Sequence, residues 1–267
     1  MTNKTTIKIK IPTQYLGKLV KGSMEKVLTG SGTSLNPSSS PPATVSTVTP
    51  ARIPNPEQYI ILPGKSHGSY SYPDTLLSIE RQYKGKNWFD SHKALSDTGF
   101  YMPTLRQFVD FLALLRSGTV RDGNAQSLPP RRVSELFEDI TAVRDPYRGE
   151  WLDADFKESP GGLMMNYGHR IDAQGKLVQQ YTQPVTPCLM QDKNPGIDLV
   201  DWIAKATATG LPPSDVKSGT VWYWFPRSDN MSVARFDANS GWAGLYCCGY
   251  PSDAGAGLGV RAAREKK

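Results

Sequence analysis

From Val233 onward the chain alternates. Ala234, Phe236 and Ala238 are small or apolar, and Arg235, Asp237 and Asn239 fall between them. After Asn239-Ser240-Gly241 the alternation resumes, with Ala243, Leu245 and Cys247 set against Trp242, Gly244, Tyr246 and Cys248. Successive side chains leave a pleated backbone on opposite sides, so period 2 predicts a strand with one buried face. Two such runs about a short turn predict an antiparallel pair. The inward set is orderly. The outward set mixes Gly, Tyr, Cys, Asp, Asn and Arg, which predicts a scaffold whose exposed face is free to vary.

Other segments carry the 3.6 period of helices. Thr104 and Gln107 form a capping-box pattern, N-cap and N3, ahead of a stripe of Leu105, Phe108, Val109, Leu112 and Leu115 that Gly118 stops. After Pro129-Pro130, a second stripe of Val133, Leu136, Phe137 and Ile140 ends before Asp145-Pro146. A short third helix is expected from Asp198, carrying Leu199, Trp202 and Ile203. Downstream, strands are predicted over 220–226, 233–239, 242–248 and 257–263. Helices followed by a strand-rich C-terminal half predict an α+β fold, with two helices packed on an antiparallel β-sheet, rather than a parallel α/β wind.

The N-terminal part reads differently. Residues 6–11 alternate Ile with Lys and Thr, as an edge strand does, and 13–28 predict a weak helix. From 29 to 51 the chain is mostly Gly, Ser, Thr, Pro and Asn, a linker composition. The expected organisation is a short strand/helix element over 1–28, a linker over 29–51 and one domain over 52–267.

Composition sharpens this picture. With 24 Gly and 21 Pro among 267 residues and 38% hydrophobic content, the chain suits a loop-rich β or α+β protein better than a helical bundle. The net charge of +6 owes much to the chain ends, Lys4, Lys8, Lys10, Lys18, Lys21 and Lys26, then Arg261, Arg264, Lys266 and Lys267. Terminal charge is read as solubilising. No basic stripe lies within the expected fold, so no nucleic-acid partner is expected. Three cysteines make no disulfide framework. Cys188 and Cys247 read as small buried hydrophobes, with a bridge between them left open, and Cys248 reads as outward-pointing. No stretch reaches a transmembrane length, so no membrane insertion is expected. The N-terminus lacks the apolar core of a signal peptide, which points to a start in the cytosol.

Motifs for catalysis are weak. The three histidines, His67, His92 and His169, form no zinc-helix pattern, and no Cys-x-x-Cys pair exists, so no metal or cofactor is expected. A Gly-x-Ser-x-Gly elbow is missing, and the glycines at 255, 257 and 259 open no helix. The run Glu150-Trp-Leu-Asp-Ala-Asp155 admits a calcium-ligand reading but favours a buried Trp-Leu strand with polar flanks. Asn166-Tyr-Gly-His-Arg170 reads as a turn holding one hydrogen-bonded histidine. Trp222, Tyr223 and Trp224 read as core plus one exposed ring.

Against this background the C-terminal segment resembles the variable region of diversity-generating retroelement variable proteins. Val233, Phe236, Ala238, Leu245, Cys247, Pro251 and Leu258-Gly-Val-Arg261 match the fixed part of that pattern. Glu150–Phe156, Asn166–Arg170 and Cys188-Leu-Met190 are similar to members of the archaeal-virus type. The resemblance spans about 55–267. It implies a C-type-lectin fold, of the variant seen in formylglycine-generating enzymes, with a variable region about 221–267. It also implies a non-enzymatic role, in which a retroelement randomises template adenines, chiefly in AAC or AAT codons, and the fold displays the outcome as a binding surface. The expected partner is a protein or glycan ligand on a cell surface, met from a virion or another cell surface.

Codon arithmetic tests that implication within the chain. Randomising both adenines of such a codon yields Gly, Tyr, Cys, Ser, Asp, Ala or Arg but never Lys, Glu, Gln, Met or Trp. Between Arg235 and Gly255 there is no Lys, Glu, Gln or Met. The expected ligand-binding positions are Arg235, Asp237, Asn239, Gly241, Trp242, Gly244, Tyr246, Cys248, Gly249, Tyr250, Ser252, Asp253 and Gly255. Trp242 departs from the reachable set and needs another template codon or a fixed role. Tyr246, Tyr250 and Trp242 are the expected anchors, since aromatic rings give large contact area at low entropy cost. Two alternatives accompany this reading. A formylglycine-generating-type oxidase would need a copper-binding cysteine pair, for which Cys188 with Cys247 is the better candidate. A calcium-dependent lectin would need a Glu-Pro-Asn or Gln-Pro-Asp type cluster, which is not found in the right region.

Overall fold

A computed structural model of the chain describes residues 55–228 and 232–267. The strand expected over 6–11, the helix over 13–28 and the linker over 29–51 lie outside the described residues. The described part is α+β. Its helices are α1 (Trp88–Asp97), α2 (Leu105–Ser117), α3 (Pro130–Thr141) and α4 (Leu199–Lys205).

The caps explain where the helices start. Thr104 accepts from the Gln107 backbone N–H at 3.2 Å while Gln107 Oε1 accepts from the Thr104 N–H at 3.0 Å, so α2 opens with a complete capping box. It closes at Gly118, which takes the left-handed conformation with φ 70°. Helix α3 begins at Pro130, whose missing N–H costs nothing in a first turn. Asp198 caps α4 through the Asp201 N–H at 2.7 Å. Helix α1 was not among the expected elements. Asn87 caps it through the Asp90 N–H at 2.8 Å, but its buried stripe is Trp88, Ser91, His92 and Leu95, half of it polar, which hides the period.

A small sheet joins β1 (Tyr59–Leu62), β4 (Thr75–Ser78) and β15 (Ala263–Glu265) in the order β1-β4-β15. The hairpin β2 (Lys65–His67) with β3 (Tyr70–Tyr72) and the pair β7 (Arg170–Ile171) with β8 (Leu177–Val178) are minor two-stranded ribbons. The main sheet is built from β5 (Arg148–Ser159), β6 (Gly162–Tyr167), β9 (Tyr181–Pro184), β10 (Lys193–Ile197), β11 (Val221–Trp224), β12 (Ser232–Ala238) and β13 (Ala243–Gly249). Its order is β10-β11-β13-β12-β5-β6-β9, and β14 (Leu258–Gly259) lies parallel to β5.

The anticipated hairpin is β12 with β13, in antiparallel register with Phe236 opposite Leu245 and Ala238 opposite Ala243. Its inner face packs as its period predicts. Ala234, Phe236, Ala238, Ala243, Leu245 and Cys247 join the main core with Phe108, Leu112, Leu136 and Trp202. Phe236 stacks with Trp202 at 6.4 Å between ring centroids and tilts against Phe108 at 5.4 Å. Burying a ring of this size is worth ~2–3 kcal/mol in transfer alone.

The outer face is not uniformly exposed. Val233 leaves β12 on the side opposite Ala234 and Phe236 and joins a second cluster with Trp88, Leu95, Met102, Trp151, Leu258, Val260 and Ala262. The strand expected over 257–263 is likewise divided into β14 and β15, which serve different sheets. Between them Arg261 turns inward. It is 1% exposed, its Nε lies 2.8 Å from Glu150 Oε1, and it donates to the Ser78 carbonyl at 2.9 Å. The Arg148 guanidinium sits 2.7 Å from the same carboxylate. Arg261 is therefore a buried tie between the C-terminal segment, β5 and β4, rather than a solubilising charge.

Candidate ligand-binding surface

The outer side of the β11/β13/β12 corner carries a cluster of aromatic rings. On β11, Val221 and Tyr223 point into the core, and Trp222 and Trp224 point outward, half-buried. Both tryptophans are exposed in part, where one ring was expected. The parallel ladder places Trp222 opposite Gly244 and Trp224 opposite Tyr246. Trp242 stacks on Trp222 at 5.8 Å with an interplanar angle of 13°, and meets Trp224 edge-on at 4.5 Å. Tyr246 continues the row, 5.0 Å from Trp224.

Trp242 is held there by its turn. The Asn239 side chain accepts from the N–H groups of Gly241 at 2.8 Å and Trp242 at 3.0 Å. The Asn239 N–H donates to the Trp242 carbonyl at 2.9 Å. Asn239 is thus a turn-forming residue, suited to this by a short side chain that mimics a backbone carbonyl.

Arg235 closes the other side of the row. Its guanidinium lies 4.9 Å from the Tyr246 ring centroid and 5.6 Å from that of Trp151, within cation–π reach. It donates to Asp253 at 2.6 Å and pairs with Asp237 at 2.8 Å. The two carboxylates hold it in place, so the surface presents rings and a fixed polar network in place of a loose positive charge. Beyond it, Tyr250 is 63% exposed, and Ser252, Gly241 and Gly255 are exposed as well.

Four of the expected ligand-binding positions are buried. Asp237 is 1% exposed, because β5 and Tyr147 cover it, and the Tyr147 hydroxyl donates to it at 3.0 Å. Burial pushes its carboxyl up to about 6, against the pull of Arg235 and Tyr147. Cys248 is 8% exposed. Gly244 lies against β11, where an added Cβ would meet the Trp222 carbonyl oxygen at 2.3 Å. Gly249 is buried more loosely, with an added Cβ 3.1 Å from the Val233 oxygen. Sheet neighbours on both sides, rather than solvent, meet this part of the outer face.

Among the described residues no disulfide forms; Cys188 and Cys247 are buried thiols. Burial pushes Cys188 up to about 12 and Cys247 well above the usual thiol range, which keeps both protonated. The Glu150–Asp155 run lies in the middle of β5, buried as the Trp-Leu strand reading expects. The Asn166–Arg170 segment forms a turn in which His169 hydrogen-bonds Asp153 at 2.5 Å, again as expected. The sequence reading missed that His92 of α1 joins this pair, since the three residues lie on separate elements. Comparison of the chain with protein families, characterised proteins and solved structures finds no match. Among the described residues no helix is long and apolar enough to cross a membrane.

Proposed function

We propose that the chain is a non-enzymatic ligand-recognition protein of C-type-lectin fold. Its C-terminal face is diversified by a retroelement through adenine-directed mutagenesis, and its ligand is a protein or glycan on a cell surface. The observation that carries this reading is the contiguous row Trp222, Trp242, Trp224 and Tyr246, flanked by Arg235 and by the exposed Tyr250. A partly exposed row of this kind offers stacking area to sugar rings or side chains at small entropic cost. Within the row Tyr246 belongs to the set that codon arithmetic marks as reachable, as do the flanking Arg235 and Tyr250, whereas Trp222 and Trp224 precede the stretch and Trp242 needs another template codon or a fixed role. On this reading Arg235, Gly241, Tyr246, Tyr250, Ser252, Asp253 and Gly255 are display positions with Trp242 as the anchor of the row, and the buried or turn-forming Asp237, Asn239, Gly244, Cys248 and Gly249 take framework roles.

The test is the DNA around the gene. A near-repeat of its final coding segment, differing at adenines in the codons of the display positions and accompanied by a reverse transcriptase gene, is the expected result. Absence of the repeat, or differences scattered over other bases, would sink the proposal.

A further inference from the structure

A second cluster lies in the layer between α1 and the sheet, apart from the aromatic row. It joins His92 of α1, Asp153 of β5 and His169, which follows β6. All three are buried, at 3%, 0% and 4% exposure. His169 Nδ1 is 2.5 Å and His92 Nε2 is 3.8 Å from the same oxygen, Asp153 Oδ1. One ligand atom from each residue falls within 4.8 Å of the others. His92 Nε2 has no hydrogen-bond partner although the residue is buried and the atom faces the cluster. A buried ring nitrogen left in that state is the exception in folded proteins and calls for a cause.

We propose that His92 Nε2, Asp153 Oδ1 and His169 Nδ1 bind one zinc ion that ties α1 to the main sheet. Two imidazoles and a carboxylate suit a borderline divalent cation of tetrahedral preference. With metal–ligand bonds of about 2.0–2.1 Å, ligand atoms sit roughly 3.3 Å apart. The 2.5 Å and 3.8 Å separations bracket that value, so shifts below about 1 Å bring each imidazole nitrogen to ligand spacing from Asp153 Oδ1, and the third separation is within 4.8 Å. A cavity of about 20 Å³ borders both histidines and holds room for one water as fourth ligand.

The surroundings support the assignment. Asp155 Oδ1 is a buried acceptor without a hydrogen-bond partner, 3.9 Å from His169 Nε2. Metal-bound histidines usually donate their second ring N–H to a carboxylate, and a small rotation would form that bond here. The Trp88 ring packs edge-on against both imidazoles at 4.3 and 5.1 Å between centroids. Trp88 also donates to the Leu152 carbonyl at 3.0 Å, so the apolar wall of the site is itself pinned to β5.

Untagged full-length protein, freed of metal with chelator and dialysed, is titrated with Co²⁺ and followed in the visible range. The expected result is one equivalent of Co²⁺ showing the d–d absorption of a tetrahedral nitrogen/oxygen site, displaced stoichiometrically by Zn²⁺. His92→Gln is expected to weaken binding at least tenfold. Asp155→Asn, which leaves all three ligands in place, is expected to weaken it about ten- to a hundredfold. No band in the wild type overturns the proposal and assigns the orphan nitrogen to a bound water. An unchanged band and affinity in His92→Gln also overturns it, by placing the metal elsewhere. If His92→Gln does not fold, the wild-type titration and Asp155→Asn decide.

Discussion

Gly244 separates a position that displays from one that holds the frame. It lies opposite Trp222 in the parallel ladder between β11 and β13. In Gly244→Ala, the new Cβ would lie 2.3 Å from the Trp222 carbonyl oxygen, 2.8 Å from its carbonyl carbon and 2.9 Å from its Cβ. Ordinary contact begins near 3.4 Å, so the strands must part by about 3.4 − 2.3 = 1.1 Å. The obstacle is backbone, which has no rotamer to move. Parting the strands that far stretches ladder hydrogen bonds beyond their useful range, at about 1 kcal/mol for each bond lost. With one or two bonds affected, and overpacking typically costing ~1–3 kcal/mol, the expected destabilisation is roughly 2–3 kcal/mol. Gly255→Ala is the matched control, since a Cβ there meets nothing within 4 Å. It should stay within about 0.5 kcal/mol of wild type. Urea unfolding of both variants reads the difference as a shift in midpoint at constant slope. If Gly244→Ala unfolds at the same midpoint as Gly255→Ala, the reasoning is wrong, and position 244 returns to the display set.

Two further outcomes are expected. Phe236→Ala should lose ~3–5 kcal/mol, because it empties the space between Phe108 and Trp202, and a midpoint shift worth under 1 kcal/mol in the same urea assay would refute that packing role. Asp237 bears on pH: its folded-state pKa, about 6, lies above the ordinary 3.8, so between those values the folded protein binds more protons than the unfolded chain. Its contribution is therefore fully present below about pH 4 and lost as pH rises through about 6. The loss is at most ~3 kcal/mol at about 1.4 kcal/mol per unit. Asp237→Asn should flatten that part of the stability-against-pH curve, and an identical curve in the variant would show that Asp237 titrates normally.

Much of the scaffold is legible in the chain because it rests on local rules. The capping box at Thr104 and Gln107, the glycine stop at Gly118 and the turn at Asn239–Gly241 act over a few residues, and each forms as its pattern predicts. Period 2 over 234–247 correctly separates the residues that enter the main core. Helix α1 escaped because Ser91 and His92 occupy its buried stripe, and polar residues there make sense only beside partners supplied by other elements.

The outer face shows the limit of periodicity. Alternation says which side of a strand a residue leaves from, and Arg235, Asp237, Gly244, Tyr246 and Cys248 do not join the main core. Whether that side meets water depends on what lies across it, which is a property of sheet order. Placing β12 between β13 and β5 buries Asp237, and placing β11 beside β13 removes the room above Gly244. Likewise Arg261 reads as a terminal charge until β14 and β15 carry the chain past Glu150.

By itself, then, the sequence determined the α+β class, the capping box and glycine stop of α2 and the inward set of the C-terminal hairpin, because these follow from nearest neighbours and backbone period. Tertiary structure alone decided which outward residues are exposed, how four aromatic rings form one row, and that His92, Asp153 and His169 meet. Each of these depends on the approach of segments distant in the chain, and no local pattern records which strand will lie beside which.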